Sequence, residues 1–145
     1  MKVKTEFKNG YFIFIAIGTY FLIMEFLGFA HLFYLRIFNV VFVFYAVNNT
    51  IQTKIGDGKR KFVSNAIAAT VTSLVGVFLS TTGLLIYSYM RGGDIYIKKL
   101  SESFLFGGSP SINMYCFSLL FEGIASSVIV TMLLMLYYND KFTVD

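Results

Sequence analysis

The sequence has no tryptophan, one cysteine and one histidine among its 145 residues. The single cysteine, Cys116, excludes a disulfide bond within the chain, and its apolar neighbours favour a buried, inert thiol. The single histidine, His31, has no second histidine or cysteine near it in the sequence, which makes it a poor candidate for a metal ligand. These shortages predict a protein without a structural disulfide and without a metal site.

The motifs of common enzyme chemistry are also missing. The chain has no glycine-rich phosphate loop, no Gly-x-Ser-x-Gly elbow and no His-Glu-x-x-His helix. Because neither a nucleophile with its base nor a metal constellation is present, we expect a protein that is not an enzyme and that uses no cofactor.

Charged residues are scarce, at 14% of the chain against about 25% in a typical soluble domain. Hydrophobic residues make up 57%, and the mean hydropathy is +0.70. A soluble domain of this length needs more polar surface, so the composition predicts a membrane protein. The net charge of +4 does not indicate nucleic-acid binding, because the basic residues cluster beside the apolar stretches and form no extended groove.

Four long apolar stretches fill most of the chain, over about residues 11–30, 32–51, 62–90 and 113–138. A bilayer core roughly 30 Å thick requires about 20 helical residues, so each stretch is long enough to cross it. The sequence therefore predicts an all-α fold, a four-transmembrane-helix bundle that forms one domain over residues 1–145.

Lysine and arginine are distributed unevenly around the predicted spans. Eight lie at the termini and in the loop after the second span, and four lie on the opposite side. The first group consists of Lys2, Lys4, Lys8, Lys54, Lys59, Arg60, Lys61 and Lys141. By the positive-inside rule, this asymmetry places both termini in the cytoplasm, with the inverted topology as the alternative. Within the loop, Lys59, Arg60 and Lys61 are expected to contact anionic lipid headgroups.

The connection between the third and fourth spans, residues 91–112, is the only long one. In it Ile97, Leu100 and Phe104 recur at helical spacing, while Lys98 and Lys99 fall elsewhere on the helix. This pattern predicts a short amphipathic helix on the outer membrane face, bounded by glycines at 92–93 and by residues 107–110. Such a helix serves either as a simple tether at the interface or as a docking surface for a partner.

Small residues recur every three or four positions in the last two spans. The third span carries Ser73, Gly76, Ser80 and Gly83, and the fourth carries Gly123 and Ser127. Small side chains let helix backbones approach closely in a membrane. The pattern favours packing within the bundle, with self-association or a partner helix as the alternative.

Three charged residues inside the predicted spans are candidates for a functional site: Glu25, Arg36 and Glu122. A charge in the bilayer costs about 2.5 to 3.5 kcal/mol on insertion scales, so such groups usually face protein and find partners. Because a tight turn joins the first two spans, we expect Arg36 to form a salt bridge with Glu25 and to be reached by Glu122, with Asn39 on the same helical face. This polar cluster is either a structural clasp, a proton or ion site, or a cavity for a small ligand or lipid headgroup.

The other half of the predicted bundle has few polar groups, which argues against a complete transport path. They are chiefly Tyr20, Asn48, Asn49 and Asn65.

Several short segments resemble an uncharacterised family of small bacterial four-helix integral membrane proteins, a domain of unknown function. They are Leu35-Arg36-Ile37-Phe38-Asn39, the small-residue third span, the amphipathic connection and Phe121-Glu122-Gly123. The resemblance implies a bacterial inner membrane and carries no reaction or binding residues over to this chain.

The missing enzyme motifs and the recurring small residues of the last two spans predict a non-enzymatic integral membrane subunit or accessory protein of a larger membrane complex. Its partners are then the lipid bilayer and other membrane subunits or further copies of itself. The alternative is a small transporter or channel, as a single chain or as a homo-oligomer, with a polar centre at Glu25, Arg36 and Glu122.

Overall fold

The computed structural model describes residues 4–101 and 110–144. Five α-helices follow one another: α1 (Thr5–Phe26), α2 (Asn39–Gly56), α3 (Phe62–Met90), α4 (Asp94–Leu100) and α5 (Ile112–Tyr137). Short 3-10 helices cover Phe33–Phe38, directly before α2, and Asn139–Lys141, after α5. Within the described residues the only pairing of β type is an isolated bridge between Lys61 and Thr143, so the all-α prediction is confirmed.

Three helices, α1, α3 and α5, are long and apolar enough to cross a membrane. In the most apolar 18 residues of α1, α3 and α5, only 17%, 39% and 22% of the residues, respectively, are buried inside the bundle. An apolar helix that buries so little of its surface against its own chain requires an apolar environment outside it. The helices therefore agree with the prediction of a membrane protein.

The predicted second span, residues 32–51, is divided in the structure. Residues Phe33–Phe38 form a 3-10 helix, and α2 begins at Asn39 and continues to Gly56. Apolar residues suit both kinds of helix, so the hydrophobic pattern did not distinguish them. The polar residues in the second half of α2 lower its hydropathy, and α2 is not among the helices that are long and apolar enough to span.

Two of the helix ends are set by glycines in the left-handed region, Gly28 after α1 and Gly58 after α2, each with φ of 78°. In both places the next residue donates its backbone N–H to a carbonyl five positions back: Phe29 to Met24 at 2.8 Å and Lys59 to Lys54 at 2.9 Å. This is the Schellman arrangement, which satisfies carbonyls at a helix end. The chain therefore turns sharply at both ends of the segment that carries α2.

The helices α1 and α3 run in the same direction and approach each other closely. A Cβ atom added at Gly76 would lie 2.6 Å from Cβ of Ile13, and one added at Gly10 would lie 2.7 Å from Cγ1 of Val75. Further along, Gly83 lies against the ring of Phe14. The residue numbers of these contacts increase together along the two helices, which shows that α1 and α3 are parallel. Here the small residues of α3 serve the packing of the bundle itself.

The helix α5 packs on α3 in the opposite direction. Gly123 lies against Val77, where an added Cβ would be 2.6 Å from Cγ1. Ser127 is buried beside it and donates to the Gly123 carbonyl at 2.8 Å, while Ser73 of α3 is fully buried. Ser80 lines a cavity in the bundle, and its hydroxyl has no hydrogen-bond partner within the described residues.

The short helix α4 has the amphipathic character expected of the connection. Ile97 and Leu100 are buried against the start of α5, whereas Lys98 and Lys99 are exposed. The Asp94 carboxylate accepts the backbone N–H of Ile112 at 2.9 Å, which ties α4 to α5. Three of the expectations for this chain concern residues outside the described ranges: Phe104 on the amphipathic face, residues 107–109 at its boundary, and Lys2 in the basic count.

Candidate functional site

A cavity of about 310 Å³ lies between α1, α2, α3 and α5, in the half of the bundle nearer to α4. Its lining is mostly apolar, with Phe14, Ile17, Phe21, Val77, Leu84 and Leu119 contributing large side chains. The polar residues among the lining include Arg36, Asn39, Ser80, Tyr115 and Glu122. An apolar pocket with a small number of polar groups is the usual form of a site for a small ligand, and 310 Å³ is near the lower end of the range of about 300 to 1,000 Å³.

Arg36 connects the 3-10 helix before α2 to α5 across this cavity. Its Nη1 donates to the Tyr115 hydroxyl at 2.9 Å, and its Nη2 lies 3.9 Å from Oε2 of Glu122. The guanidinium carbon also lies 5.8 Å from the centre of the Tyr115 ring. The planar guanidinium suits this position because it can meet a hydroxyl, a carboxylate and a ring face together.

The two members of this ion pair differ in exposure. The Arg36 side chain is 18% exposed, whereas that of Glu122 is 55% exposed. At 3.9 Å the contact is an ion pair without a short hydrogen bond. Glu122 is therefore held only loosely by its own chain.

Three residues that line the cavity each have a buried polar atom without a hydrogen-bond partner within the described residues: Nε of Arg36, Oδ1 of Asn39 and Oγ of Ser80. They provide one donor, one acceptor and one hydroxyl that can do either. A buried polar atom without a partner costs about 1 to 3 kcal/mol, so three such atoms on residues around one cavity are uncommon in a core that serves only packing.

The structure brings Arg36, Asn39 and Glu122 to one cavity and places Glu25 elsewhere. The expected salt bridge between Glu25 and Arg36 is replaced by one between Glu25 and Arg91, at 3.4 Å. The tight turn that we expected between the first two spans is a longer path through the 3-10 helix, and this directs Arg36 towards α5. Arg91 lies just beyond the end of the third apolar stretch, so the sequence pattern did not indicate it as a partner of Glu25.

The Glu25 and Arg91 pair packs against α4. The Arg91 guanidinium lies 5.8 Å from the ring centre of Tyr87 and 5.9 Å from that of Tyr96. Burial, together with the nearby Glu25 carboxylate, raises the pKa of the Tyr96 hydroxyl, which keeps it protonated. This cluster fixes α4 on the end of the bundle.

A second polar network lies in the opposite half of the bundle and was not predicted. Thr50 is its centre: its Oγ1 accepts from Asn9 Nδ2 at 2.8 Å and lies 2.9 Å from Oγ1 of Thr72. Asn49 donates to Asn9 Oδ1 at 3.1 Å. The expectation that this half holds few polar groups is therefore wrong. Asn9 precedes the predicted start of the first span. Thr50 and Thr72 lie within apolar stretches, where the hydrophobic pattern does not indicate a polar network.

The same half carries further polar contacts near the termini. The Tyr138 hydroxyl donates to Asn48 at 2.7 Å and accepts from Gln52 at 2.9 Å, and Lys54 pairs with Glu6 at 2.9 Å. The basic side chains of Lys59, Arg60 and Lys61 are exposed here.

Metal ligands are not gathered in the part of the chain that the structure describes, where no three His, Cys, Asp or Glu side chains lie together. Cys116 is buried beside α4, and His31 is half-buried in the turn before the 3-10 helix.

Replacing Arg36 with lysine is expected to lower the free energy of unfolding by about 1 kcal/mol, because one ammonium cannot reproduce the bond to Tyr115 and the pairing with Glu122. Thermal unfolding in detergent, followed through labelling of the buried Cys116 by a thiol-reactive dye, measures the change. The matched control is Arg60→Lys, whose exposed side chain lies in the loop after α2 and should matter little. Equal shifts in the two variants would contradict the role assigned to Arg36.

Comparison of the chain with protein-family models gave no match, and searches of curated proteins and of solved structures gave no significant match either. The function is therefore argued from the geometry of this chain.

Proposed function

We propose that the chain is an integral membrane protein that crosses the bilayer four times. The support comes from the direction of its helices. The helices α1 and α3 are parallel, and both are long and apolar enough to span. If both cross in the same direction, the segment between them must return across the membrane, and α2 with its preceding 3-10 helix is the only structure in that segment.

The length of this returning segment is sufficient. The six residues of the 3-10 helix rise about 12 Å, and the 18 residues of α2 rise about 27 Å. Together they exceed the roughly 30 Å of the hydrocarbon core. The polar side chains of α2 are compatible with a span because Thr50 is fully buried and bonded to α1 and α3.

For orientation, we propose that both termini face the cytoplasm of a bacterium, with the protein in its inner membrane. The exposed Lys59, Arg60 and Lys61 lie at the same end of the bundle as the described termini, in the position of an anionic headgroup layer. The helix α4, with Lys98 and Lys99 exposed, then rests on the outer face.

For function, we propose a non-enzymatic subunit or accessory protein of a larger membrane complex. The observation that carries this proposal is the half-exposed Glu122. It lies ten residues into α5, about 15 Å from the start of the helix, next to the exposed Phe121. Ionisable groups at such depth usually face a bundle interior or a partner. A carboxylate that its own chain covers only in part is well placed to be covered by a polar group of a neighbouring subunit.

The alternative, a transporter or channel, is less well supported by a single copy of the chain. The cavity lies in one half of the bundle, and the other half is occupied by the packed core around Val47 and Ile51 and by the bonded network of Asn9, Thr50 and Thr72. A conducting path would have to break that network or run between copies.

Mild extraction of the tagged protein into nanodiscs, with mass determination of whatever is retained, tests the proposal. We expect a stoichiometric larger partner. Glu122→Gln should reduce recovery of that partner at least about tenfold, which corresponds to about 1.4 kcal/mol. The matched control is Asp140→Asn, which removes an exposed carboxylate at the opposite end and should leave recovery unchanged.

Recovery of a homo-oligomer alone would contradict the subunit proposal. Ion flux into liposomes would then distinguish the alternative, since a transporter with Glu122→Gln would lose flux while the oligomer persists.

A further inference from the structure

A groove lies between the first turns of α1 and α3, at the end of the bundle where the described termini lie. It shares no lining residue with the cavity beside Arg36 among the residues that the structure describes. Its polar lining consists of Lys4, Glu6, Lys54, Lys61 and Ser64, and its apolar lining consists of Phe7, Val63, Ile67, Ala68 and Val71. Basic and apolar side chains are therefore adjacent in one groove.

The charge of the groove is positive. Three lysines and one glutamate line it, so its net charge is +2. Lys54 Nζ lies 2.9 Å from Oε1 of Glu6, and both side chains are mostly buried. Lys4 and Lys61 are exposed and form no salt bridge within the described residues. The positive ends of the α1 and α3 dipoles lie here as well. The groove therefore favours an anionic group and disfavours a cationic one.

An apolar strip on α3 leads away from the lysines. Val63, Ile67 and Val71 line the groove at four-residue intervals, so they lie on one face of the helix. From the first to the last, the strip is about 12 Å long at a rise of about 1.5 Å per residue. Val63, Ile67 and the neighbouring Phe7 are each about half exposed. A ligand that covers the strip and reaches the lysines has a hydrocarbon part joined to an anionic group.

We infer that this groove binds an anionic phospholipid of the phosphatidylglycerol type, with its phosphate between Lys4 and Lys61 and one acyl chain along the apolar strip. Phosphatidylcholine is disfavoured because its choline cation would lie close to two lysines. The inference rests on the proposed crossing of the membrane, which puts the groove at the level of the headgroups, and not on the role as a subunit. It is distinct from the headgroup contacts expected of Lys59 and Arg60, which do not line the groove.

The chain has no tryptophan, so a single introduced tryptophan reports on its own surroundings. Ile67→Trp places the reporter on the apolar strip, and Met132→Trp places a control on α5, outside the groove. Because Gly123 lies against Val77 and the two helices are antiparallel, residues 67 and 132 lie at nearly the same depth. The native side chains are 59% and 60% exposed, so the two positions differ chiefly in their relation to the groove.

The probe is phosphatidylglycerol with dibrominated acyl chains, whose bromines quench tryptophan at contact. It is a minor component of phosphatidylcholine nanodiscs that hold the purified chain, and in the reference sample the same fraction of phosphatidylcholine carries the bromines. We expect the tryptophan of Ile67→Trp to prefer phosphatidylglycerol at least about fivefold, and that of Met132→Trp to show no preference. Unbrominated phosphatidylglycerol should reverse the quenching. Reversal by inorganic phosphate, and not by chloride at equal ionic strength, would assign the groove to a soluble anion and overturn the inference.

Two double variants of the strip reporter remove the same charge in different places. Lys4→Gln with Lys61→Gln should reduce the preference to that of the control reporter. Lys59→Gln with Arg60→Gln removes two charges from the neighbouring loop, outside the groove, and should leave the preference within about twofold. Protection of the buried Cys116 from a thiol-reactive dye verifies that both are folded. Equal loss of preference in the two variants would show diffuse attraction to the basic end and overturn the site.

The outcomes also distinguish this inference from the proposed function. If both brominated lipids quench Ile67→Trp without preference, the lipid site is overturned, while the membrane crossing and the subunit role stand and an acidic segment of a partner becomes the candidate for the groove. If neither lipid quenches either reporter, the proposed crossing is contradicted and the lipid site with it.

Discussion

Replacing Gly76 with valine is expected to lower the free energy of unfolding by about 1 to 3 kcal/mol, the cost of forcing extra atoms into a closely packed contact. An added Cβ would lie 2.6 Å from both Cβ and Cγ2 of Ile13. Ile13 is fully buried and branched at Cβ, so these atoms cannot move aside by a rotation at the end of a flexible chain. The helices α1 and α3 must therefore separate. Because Cys116 is buried, its rate of labelling by a thiol-reactive dye during heating in detergent reports the change.

The chain offers a matched control for this substitution. Gly18 lies in α1, where an added Cβ meets nothing within 4 Å, so Gly18→Val introduces the same atoms into open space. Its effect on stability should be a few tenths of a kcal/mol, and in the favourable direction, because glycine is the poorer helix former. Equal loss of stability in the two variants would show that α1 and α3 do not touch at Gly76.

The features that followed from the sequence are those with a local physical cause. Long apolar stretches predicted helices because a buried or lipid-facing backbone must satisfy its own hydrogen bonds. The glycines at 92–93 were predicted to bound the amphipathic helix, and α4 begins directly after them at Asp94, because glycine adopts positive φ without strain. The amphipathic spacing of Ile97 and Leu100 predicted the buried face of α4. Each of these depends on neighbours within a few residues.

The features that the sequence did not predict depend on where whole helices lie. Glu25 pairs with Arg91 and not with Arg36 because the 3-10 helix lengthens the path between the first two helices. Tyr115 belongs to the candidate site because α5 packs beside Arg36, which donates to the Tyr115 hydroxyl. Residue type and spacing constrain a contact within one helix, whereas a contact between helices depends on their rotation and register.

Thr50→Val is expected to cost about 1 to 3 kcal/mol of unfolding free energy, although valine has nearly the same shape. Thr50 is fully buried, and its hydroxyl bonds to Asn9 at 2.8 Å and to Thr72 at 2.9 Å. The substitution leaves the Asn9 amide without its acceptor in a place where its side chain is almost entirely buried. Thr70→Val is the control, because among the described residues the Thr70 hydroxyl donates to the Ala66 carbonyl of its own helix. Its loss should cost little. Chemical or thermal unfolding of both variants in the same detergent measures the difference.

The loss of unfolding free energy in Thr50→Val also distinguishes the proposed membrane subunit from the transporter alternative. If the network around Thr50 is dry, as its burial indicates, no water replaces the lost hydroxyl and the full cost is measured. Asn9→Leu in the Thr50→Val background should then recover part of the loss, since removing both partners of a buried bond is cheaper than removing one. A negligible cost for Thr50→Val would mean that water reaches Asn9 within the bundle. Such a wet path through the half opposite the cavity would favour the transporter alternative over the membrane subunit.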